Sequence, residues 1–400
     1  MGWSYPLVPI GELVSSVQKC DPRQSEENEL FTYIDISSVN RETKKIEEAS
    51  KTLSHEAPSR ARQIVKAEDV LVSTVRPNLN AVAHLSRGFD GAIASTGFTV
   101  LRAKKQKLDS RYLYYWVLTP YFTEDMVKRS TGASYPAVSD SIIKEYGIPL
   151  PPIEEQRRIA DILDRADAIR RKRQEAIRLT EELLRSAFLE MFGDPVTNPK
   201  NWTTVDLKSQ VSELRYGTSV KCEDVEQNGD LPILRIPNII GEQISWNDLK
   251  YTKLTSSEIT KLLLIPGDLL FVRTNGNPEY IGRCAVFEEG FGQALYASYL
   301  IRARLKPNAQ LHPNFIRDII SFPTYRSLLV REARTTAGNY NIGTEGLGRL
   351  RLIAPSLKEQ ENYIEFGQRI NDRLELQKRQ VEETNNFFNS LLQRAFRGKL

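Results

Sequence analysis

The sequence predicts an α+β fold: two mixed, mainly β globular domains joined by two long helices that form an antiparallel coiled coil, the whole being a pseudo-two-fold internal repeat. Three observations carry this. Short motifs recur in the same order at a spacing of roughly 200 residues. Two long stretches are almost free of Pro and Gly and place apolar residues three or four apart. The remainder is rich in Gly, Pro, Thr, Val, Tyr and Asn, with short β-type runs broken by turn pairs such as Gly276-Asn277 and Pro307-Asn308. The expected divisions are a globular domain over 1–150, a helix over 151–192, a second globular domain over 193–354 and a second helix over 355–400.

The repeat is read motif by motif. Tyr33-Ile34-Asp35-Ile36-Ser37-Ser38-Val39-Asn40 alternates like a half-buried strand, and so does Pro232-Ile233-Leu234-Arg235-Ile236-Pro237-Asn238-Ile239 roughly 200 residues later. Ala67-Glu68-Asp69 before Val70-Leu71-Val72-Ser73 parallels Pro266-Gly267-Asp268 before Leu269-Leu270-Phe271-Val272, each a turn ending in Asp and then a buried strand. Ala94-Ser95 is matched with Ala297-Ser298. Glu154-Glu155-Gln156 after Pro151-Pro152 is matched with Lys358-Glu359-Gln360 after Pro355, and Leu183-Leu184 with Leu391-Leu392. Proline at or before the first turn starts each helix, and Gly193 and Gly398 stop them. Gly367 interrupts the second helix and costs about 1 kcal/mol relative to Ala. A single helix of about 40 residues is about 60 Å long, so each stripe needs a partner, and the economical partner is the other helix.

Composition narrows the function. The 400 residues are 40% hydrophobic and 26% charged, enough for two to four domains. No run of about 18 apolar residues is present, so no membrane span is expected, and Met1 to Pro6 lacks a secretory pattern, so a cytoplasmic location is expected. Cys20, Cys222 and Cys284 are too far apart for a disulfide framework, and His55, His84 and His312 form no metal-ligand spacing. The net charge of +4 is permissive for nucleic acid. The chain contains no phosphate-binding G-x-x-x-x-G-K loop, no G-x-S-x-G elbow and no Asn-Pro-Pro-aromatic methyltransferase tetrapeptide. A binder without catalysis of its own is expected, and no cofactor is expected on this chain.

Two loops per repeat carry binding chemistry. Arg60 and Arg62 precede the Asp69 turn, and the strand after it runs into Arg76-Pro77-Asn78-Leu79-Asn80. In the second copy the strand runs into Arg273-Thr274-Asn275-Gly276-Asn277, so each loop carries an Arg and two Asn. Arg pairs with guanine and Asn with adenine in a bidentate way, whereas Ser and Thr suit phosphate. The second loop contains Gly132, Ser134 and Tyr135 in one copy and Gly338, Asn339, Tyr340 and Asn341 in the other. These either approach nucleic acid closely or are hairpin turns with a core Tyr. Phe188, Phe387, Phe388 and Phe396, near the helix ends, either seat partner subunits or pack at the junction with the globular domains.

The run Pro149-Leu150-Pro151-Pro152-Ile153-Glu154-Glu155-Gln156 opening a long helix, repeated near Gln360, resembles the DNA-specificity subunit of Type I restriction-modification systems. Ser73-Thr74-Val75-Arg76-Pro77 and Pro266-Gly267-Asp268-Leu269-Leu270 look like the strand-and-loop motif of that family's target-recognition domains. The resemblance spans essentially the whole chain and implies two target-recognition domains that each read half of a split double-stranded DNA site. It implies two methylation (M) subunits binding S-adenosylmethionine and restriction (R) subunits using ATP and Mg, with no membrane partner. The second helix departs from the pattern, since Ala354-Pro355-Ser356 replaces the double proline. An orphan DNA-binding or scaffold protein outside an active restriction complex is the alternative reading.

Overall fold

A computed structural model describes residues 5–25, 27–227, 229–336 and 338–400, the side chains of 334–336 excepted. Met1 to Ser4 and Ala337 of the second hairpin loop lie outside the described residues. The chain divides into two compact units, Met1–Arg178 with Leu376–Leu400, and Leu179–Glu375. Each unit therefore holds one globular domain and a stretch of each long helix.

In the first unit, strand β1 (Val70–Ser73) is buried along its whole length and sits inside a four-stranded sheet. Its neighbours are Phe98–Ala103 and Val82–His84, both antiparallel. A second four-stranded sheet pairs Leu30–Ile34 with Ile93–Ser95 in parallel. The second unit repeats the plan. Strand β2 (Leu269–Val272) lies between Leu300–Leu305 and Cys284–Val286, and Leu231–Leu234 runs parallel to Leu295–Tyr296.

The strand registers fix which residues correspond. Leu71 faces Val100, and Leu270 faces Arg302. Ile34 faces Ala94, and Leu234 faces Tyr296. Ala94-Ser95 therefore matches Tyr296-Ala297, one residue earlier than the match read from side-chain type. Small residues align well by composition, but the ladder decides, and it places Tyr299 where Gly97 stands.

The turn ending in Asp is explained by a buried carboxylate. Asp69 accepts from Arg102 Nε and Nη2 at 2.9 and 2.7 Å, and from the Lys66 backbone N–H at 2.8 Å. Asp268 repeats this with Arg304 at 2.7 and 2.6 Å and with the Ile265 N–H at 2.9 Å. Both carboxylates are 1% exposed, and the bidentate geometry compensates their desolvation. The residue before each takes a left-handed backbone, Glu68 at φ 70° and Gly267 at φ 89°.

Helix α1 (Pro120–Arg129) packs in the first unit and helix α3 (Pro323–Glu332) in the second. The long helices are α2 (Ile153–Phe192) and α4 (Leu357–Phe396), each 40 residues and unbroken. Glu154 and Glu155 in the first turn of α2 suit the positive end of its dipole. At each start a buried glutamine ties helix to domain. Gln156 accepts from the Asp109 N–H and donates to the Lys107 and Pro151 carbonyls. Gln360 accepts from the His312 N–H and donates to Gln310 and Pro355. Gly193, at φ 78°, stops α2.

Within each unit the two helices run antiparallel. In the first, Ile159, Leu163 and Ala166 share a core with Phe388, Leu392, Ala395 and Phe396, and Arg173 donates to the Gln380 carbonyl at 2.9 Å. In the second, Phe188 meets Tyr363, and a Cβ added at Gly367 would lie 3.5 Å from Leu184. Among the described residues no helix is long and apolar enough to cross a membrane.

Candidate nucleic-acid interface

In the first unit the loop leaving β1 is zipped onto a hairpin from much later in the chain. The Val138 N–H donates to the Thr74 carbonyl, Val75 bridges Ala137, and the Arg76 N–H donates to the Pro136 carbonyl at 2.7 Å. Thr131 bridges the same Ala137, which makes 131–137 the hairpin. The hairpin tip carries Ser134 and Tyr135, both exposed, Tyr135 at 68%. Arg76 takes a left-handed backbone at φ 50°, and its guanidinium lies 4.6 Å from the centre of the Tyr135 ring. The stacking orients the cation while leaving its edge donors for a ligand. Asn78 is exposed beside it on the short helical turn Pro77–Leu79.

In the second unit the Ile342 N–H donates to the Arg273 carbonyl, and the next residues pair as strands. Thr274–Asn275 lies against Asn339–Asn341, which continues the hairpin from Arg334–Thr336. The two loops read separately from the sequence are thus one surface in each unit.

The backbone bonds also correct the correspondence. Thr74 donates its N–H to the Gly97 carbonyl, and Arg273 donates its N–H to the Tyr299 carbonyl. Thr74 is therefore the counterpart of Arg273, and Arg76 is the counterpart of Asn275. The two arginines are not at equivalent positions. Arg273 is rooted two residues earlier, and its guanidinium stacks 4.7 Å over Tyr216 and reaches the Ser298 carbonyl. Tyr135 likewise corresponds to Asn339, and Tyr340 to Pro136.

Several predicted contacts are used by the fold. Arg62 Nη1 binds Asp21 at 2.9 Å with only 22% of its side chain exposed. Asn80 donates its amide to Thr123 Oγ1 at 3.0 Å, while its carbonyl accepts from Lys44 Nζ. Lys44 is half-buried, and its desolvation, followed by the charges of Arg170 and Arg41, lowers its pKa to about 8. Asn277 caps the helical turn Pro278–Tyr280 through the Glu279 N–H, and Tyr340 packs against the domain core. Asn275 accepts from the Asn277 N–H, and Asn341 donates to the Asn339 carbonyl. Arg60 is exposed, and its carbonyl holds Thr96, next to the Gly97 that anchors Thr74. The outward set is Arg60, Arg76, Asn78, Ser134 and Tyr135 in one unit, and Asn277 and Asn339 with the half-buried Arg273, Asn275 and Asn341 in the other.

The phenylalanines are corrected too. Phe188 is 1% exposed among Phe192, Phe315, Phe322 and Tyr363. Phe388 is 4% exposed, near Tyr115 and beneath Arg170, and Phe396 is 1% exposed against Tyr112 and Trp116. These three close the cores of their own units. Phe387, at 60%, faces out.

Sequence reasoning passed over Tyr216 and Tyr299, which frame the loops. No periodicity marks them, although the paired Ser-Thr-Val-Arg and Val-Arg-Thr-Asn runs placed the strand exits.

The geometry has recorded relatives. Residues 7–179 match the Type I restriction modification DNA specificity domain. The chain is 26% identical over 361 residues to the Type I restriction enzyme EcoKI specificity subunit of Escherichia coli K12, covering 84% of this chain and 76% of that one. It is 22% identical to the MjaVIII specificity subunit of Methanocaldococcus jannaschii, covering 84% and 80%. A solved structure from work on assembly and conformational transition of the type I R-M system matches all of both chains with a TM-score of 0.62 at 24% identity. The S subunit from M. genitalium matches with a TM-score of 0.57 at 12% identity, covering 99% and 96%, and supports the same fold. The chain is thus similar over most of its length to Type I restriction-modification DNA specificity subunits, residues 7–179 match their DNA specificity domain, and the solved structures share its fold.

Proposed function

We propose that this chain binds double-stranded DNA at a split sequence, each unit reading one half through the loop that leaves its central strand. The observation that carries the reading is the zipping of that loop onto a Gly-containing hairpin in both units, which gathers exposed Arg, Asn, Ser and Tyr side chains on one backbone frame. Side chains held on strand ends read base edges with little entropy loss, and two frames read two half-sites.

The long helices set the unread gap, and two methylation subunits carrying S-adenosylmethionine dock on the assembly. Restriction subunits join with ATP and Mg. The chain itself binds and positions and performs no bond-making step, and it works in the cytoplasm. Phe387 is the ring left to face a partner.

The test is DNA binding by the full chain assembled with its methylation subunits, measured on the recognised sequence and on single-base variants of each half. Arg76→Ala should weaken discrimination in one half and Asn275→Ala in the other. Equal losses on every sequence would make these residues phosphate contacts, and no loss from either would remove the loops from the interface.

A further inference from the structure

The two repeats differ sharply at one place next to the loops. In the first unit, the cleft between the helical turn Pro77–Leu79 and α1 is filled, with about 10 Å³ left beside Asn80, Thr123 and Met126. In the second unit, the cleft between Pro278–Tyr280 and α3 is open, at about 1010 Å³. The strand registers explain the difference. Val82 faces Val72, and Cys284 faces Phe271, so Ala81 of the first unit corresponds to Arg283 of the second. Asn80 then corresponds to Gly282. Both take left-handed backbones, at φ 43° and 66°. The matching starts of α1 and α3, at Pro120 and Pro323, place Arg326 where Thr123 stands. A neutral Asn–Thr hydrogen bond beside an alanine is thus replaced by a glycine and two arginines.

These arginines are held close together. Arg283 Nε and Arg326 Nη2 both donate to the Glu279 carbonyl, at 3.2 and 2.8 Å. Arg283 also stacks on Tyr280 at 3.9 Å. Arg326 Nη1 is buried with no hydrogen-bond partner, 3.5 Å from where a Cβ on Gly282 would sit. Among the described residues neither guanidinium has a carboxylate at ion-pair distance. Burial and the Arg283 charge hold the Arg326 pKa below its ordinary value. Arg331 adds a third cation to the cleft wall, against Glu279 there and Glu242 on the adjoining hollow. Two like charges confined together with an unused donor leave a place for an anion.

We propose that this cleft seats a backbone phosphate of the DNA beside the half-site read by the second unit. The proposal rests on the DNA-binding reading, since Pro278–Tyr280 follows directly on Asn275 and Asn277. Guanidinium pairs match phosphate oxygens in a bidentate way, and the first unit lacks the clamp. The second half-site therefore contributes more of the salt dependence, without reading any base through these residues.

The experiment uses the full chain with its methylation subunits and the double variant Arg283→Ala with Arg326→Thr, the residues the first unit carries at these positions. Affinity is measured across salt concentrations. Each phosphate contact contributes about 0.9 to the slope of log affinity against log salt, so the variant, which gives up one phosphate, should lose about 0.9 from that slope. Between 50 and 200 mM salt this makes the wild type's affinity fall about three- to fourfold further than the variant's. The weakening should be equal on all sequences, with both half-site preferences kept. An unchanged slope, with Asn275→Ala still effective, would overturn the clamp and leave the DNA reading intact. A loss confined to particular base pairs would also overturn it, by making these residues base readers. Unchanged DNA binding in the double variant, in Asn275→Ala and in Arg76→Ala alike would instead sink the underlying reading. If thermal melting shows the double variant misfolded, Arg283→Ala alone should remove about one unit of slope, and no change would count against the clamp.

Discussion

At the scale of single residues, Arg76 and Asn275 occupy the same place in the two repeats, each following directly on the residue that bridges or pairs with the hairpin. Arg76→Ala should reduce discrimination at one half-site by about 1–3 kcal/mol, the worth of one bidentate base contact. Tyr135→Ala should cost less at the same half-site, because it removes the ring that orients Arg76 and leaves the cation in place. Competition binding against single-base variants checks both, and an effect at the other half-site would break the assignment. The buried glutamines make a different prediction. Gln156→Leu leaves the Asp109 N–H and two carbonyls without their partner, so it should destabilise the first unit by about 3 kcal/mol in a denaturant titration. The glutamines were legible in the sequence as a repeated Glu-Gln pair after proline. The pairing of Arg76 with Asn275 was not. Residue type suggested Arg76 with Arg273, whereas equivalence is set by backbone hydrogen bonds to Gly97 and Tyr299, which no side-chain pattern encodes.

At the scale of elements, the long helices were the most legible part. An apolar stripe with proline at the start and glycine at the end left little freedom, and Ile153–Phe192 and Leu357–Phe396 follow it. The sequence-level cost of Gly367 has a structural context, since Gly367 is buried within α4 and faces Leu184 of α2. A Cβ there meets Leu184 at 3.5 Å, an ordinary contact distance. Gly367→Ala should therefore stabilise the second unit by up to about 1 kcal/mol, measured by thermal melting. A lower melting temperature would mean the helices are too close there for a methyl group. The phenylalanines show what a stripe does not encode. Hydrophobic spacing marks a residue as apolar-facing without saying what it faces, and Phe188, Phe388 and Phe396 face their own domains. Phe388→Asp should accordingly unfold the first unit rather than release a partner subunit.

At the scale of the whole molecule, the two-copy plan was readable because each copy needs its own turn, strand and helix start. The asymmetries between copies, such as Gly97 against Tyr299 and Thr123 against Arg326, emerge only once the registers are known. Both helices pass from one unit to the other, and they pair within each unit. Lengthening one alone would shear its pairing, so the gap is tested by a matched insertion of four helix-forming residues, after Arg178 and after Glu375. Four residues add about 6 Å and about 40° beyond a full turn, close to the rotation of one base pair at about 34–36°. The unread gap should lengthen by one base pair with both half-sites unchanged, and an unchanged gap would show that the helices do not set it.

The central claim is that this chain specifies a split DNA sequence for a methylation complex. Genome-wide mapping of methylated bases in a host carrying the chain and its methylation subunits, with and without Arg76→Ala, tests it most directly. The expected result is a motif of two short specified blocks separated by a fixed unspecified gap, in which the variant relaxes one block only. A single continuous motif, a motif that Arg76→Ala degrades in both blocks, or methylation that does not depend on this chain would contradict it.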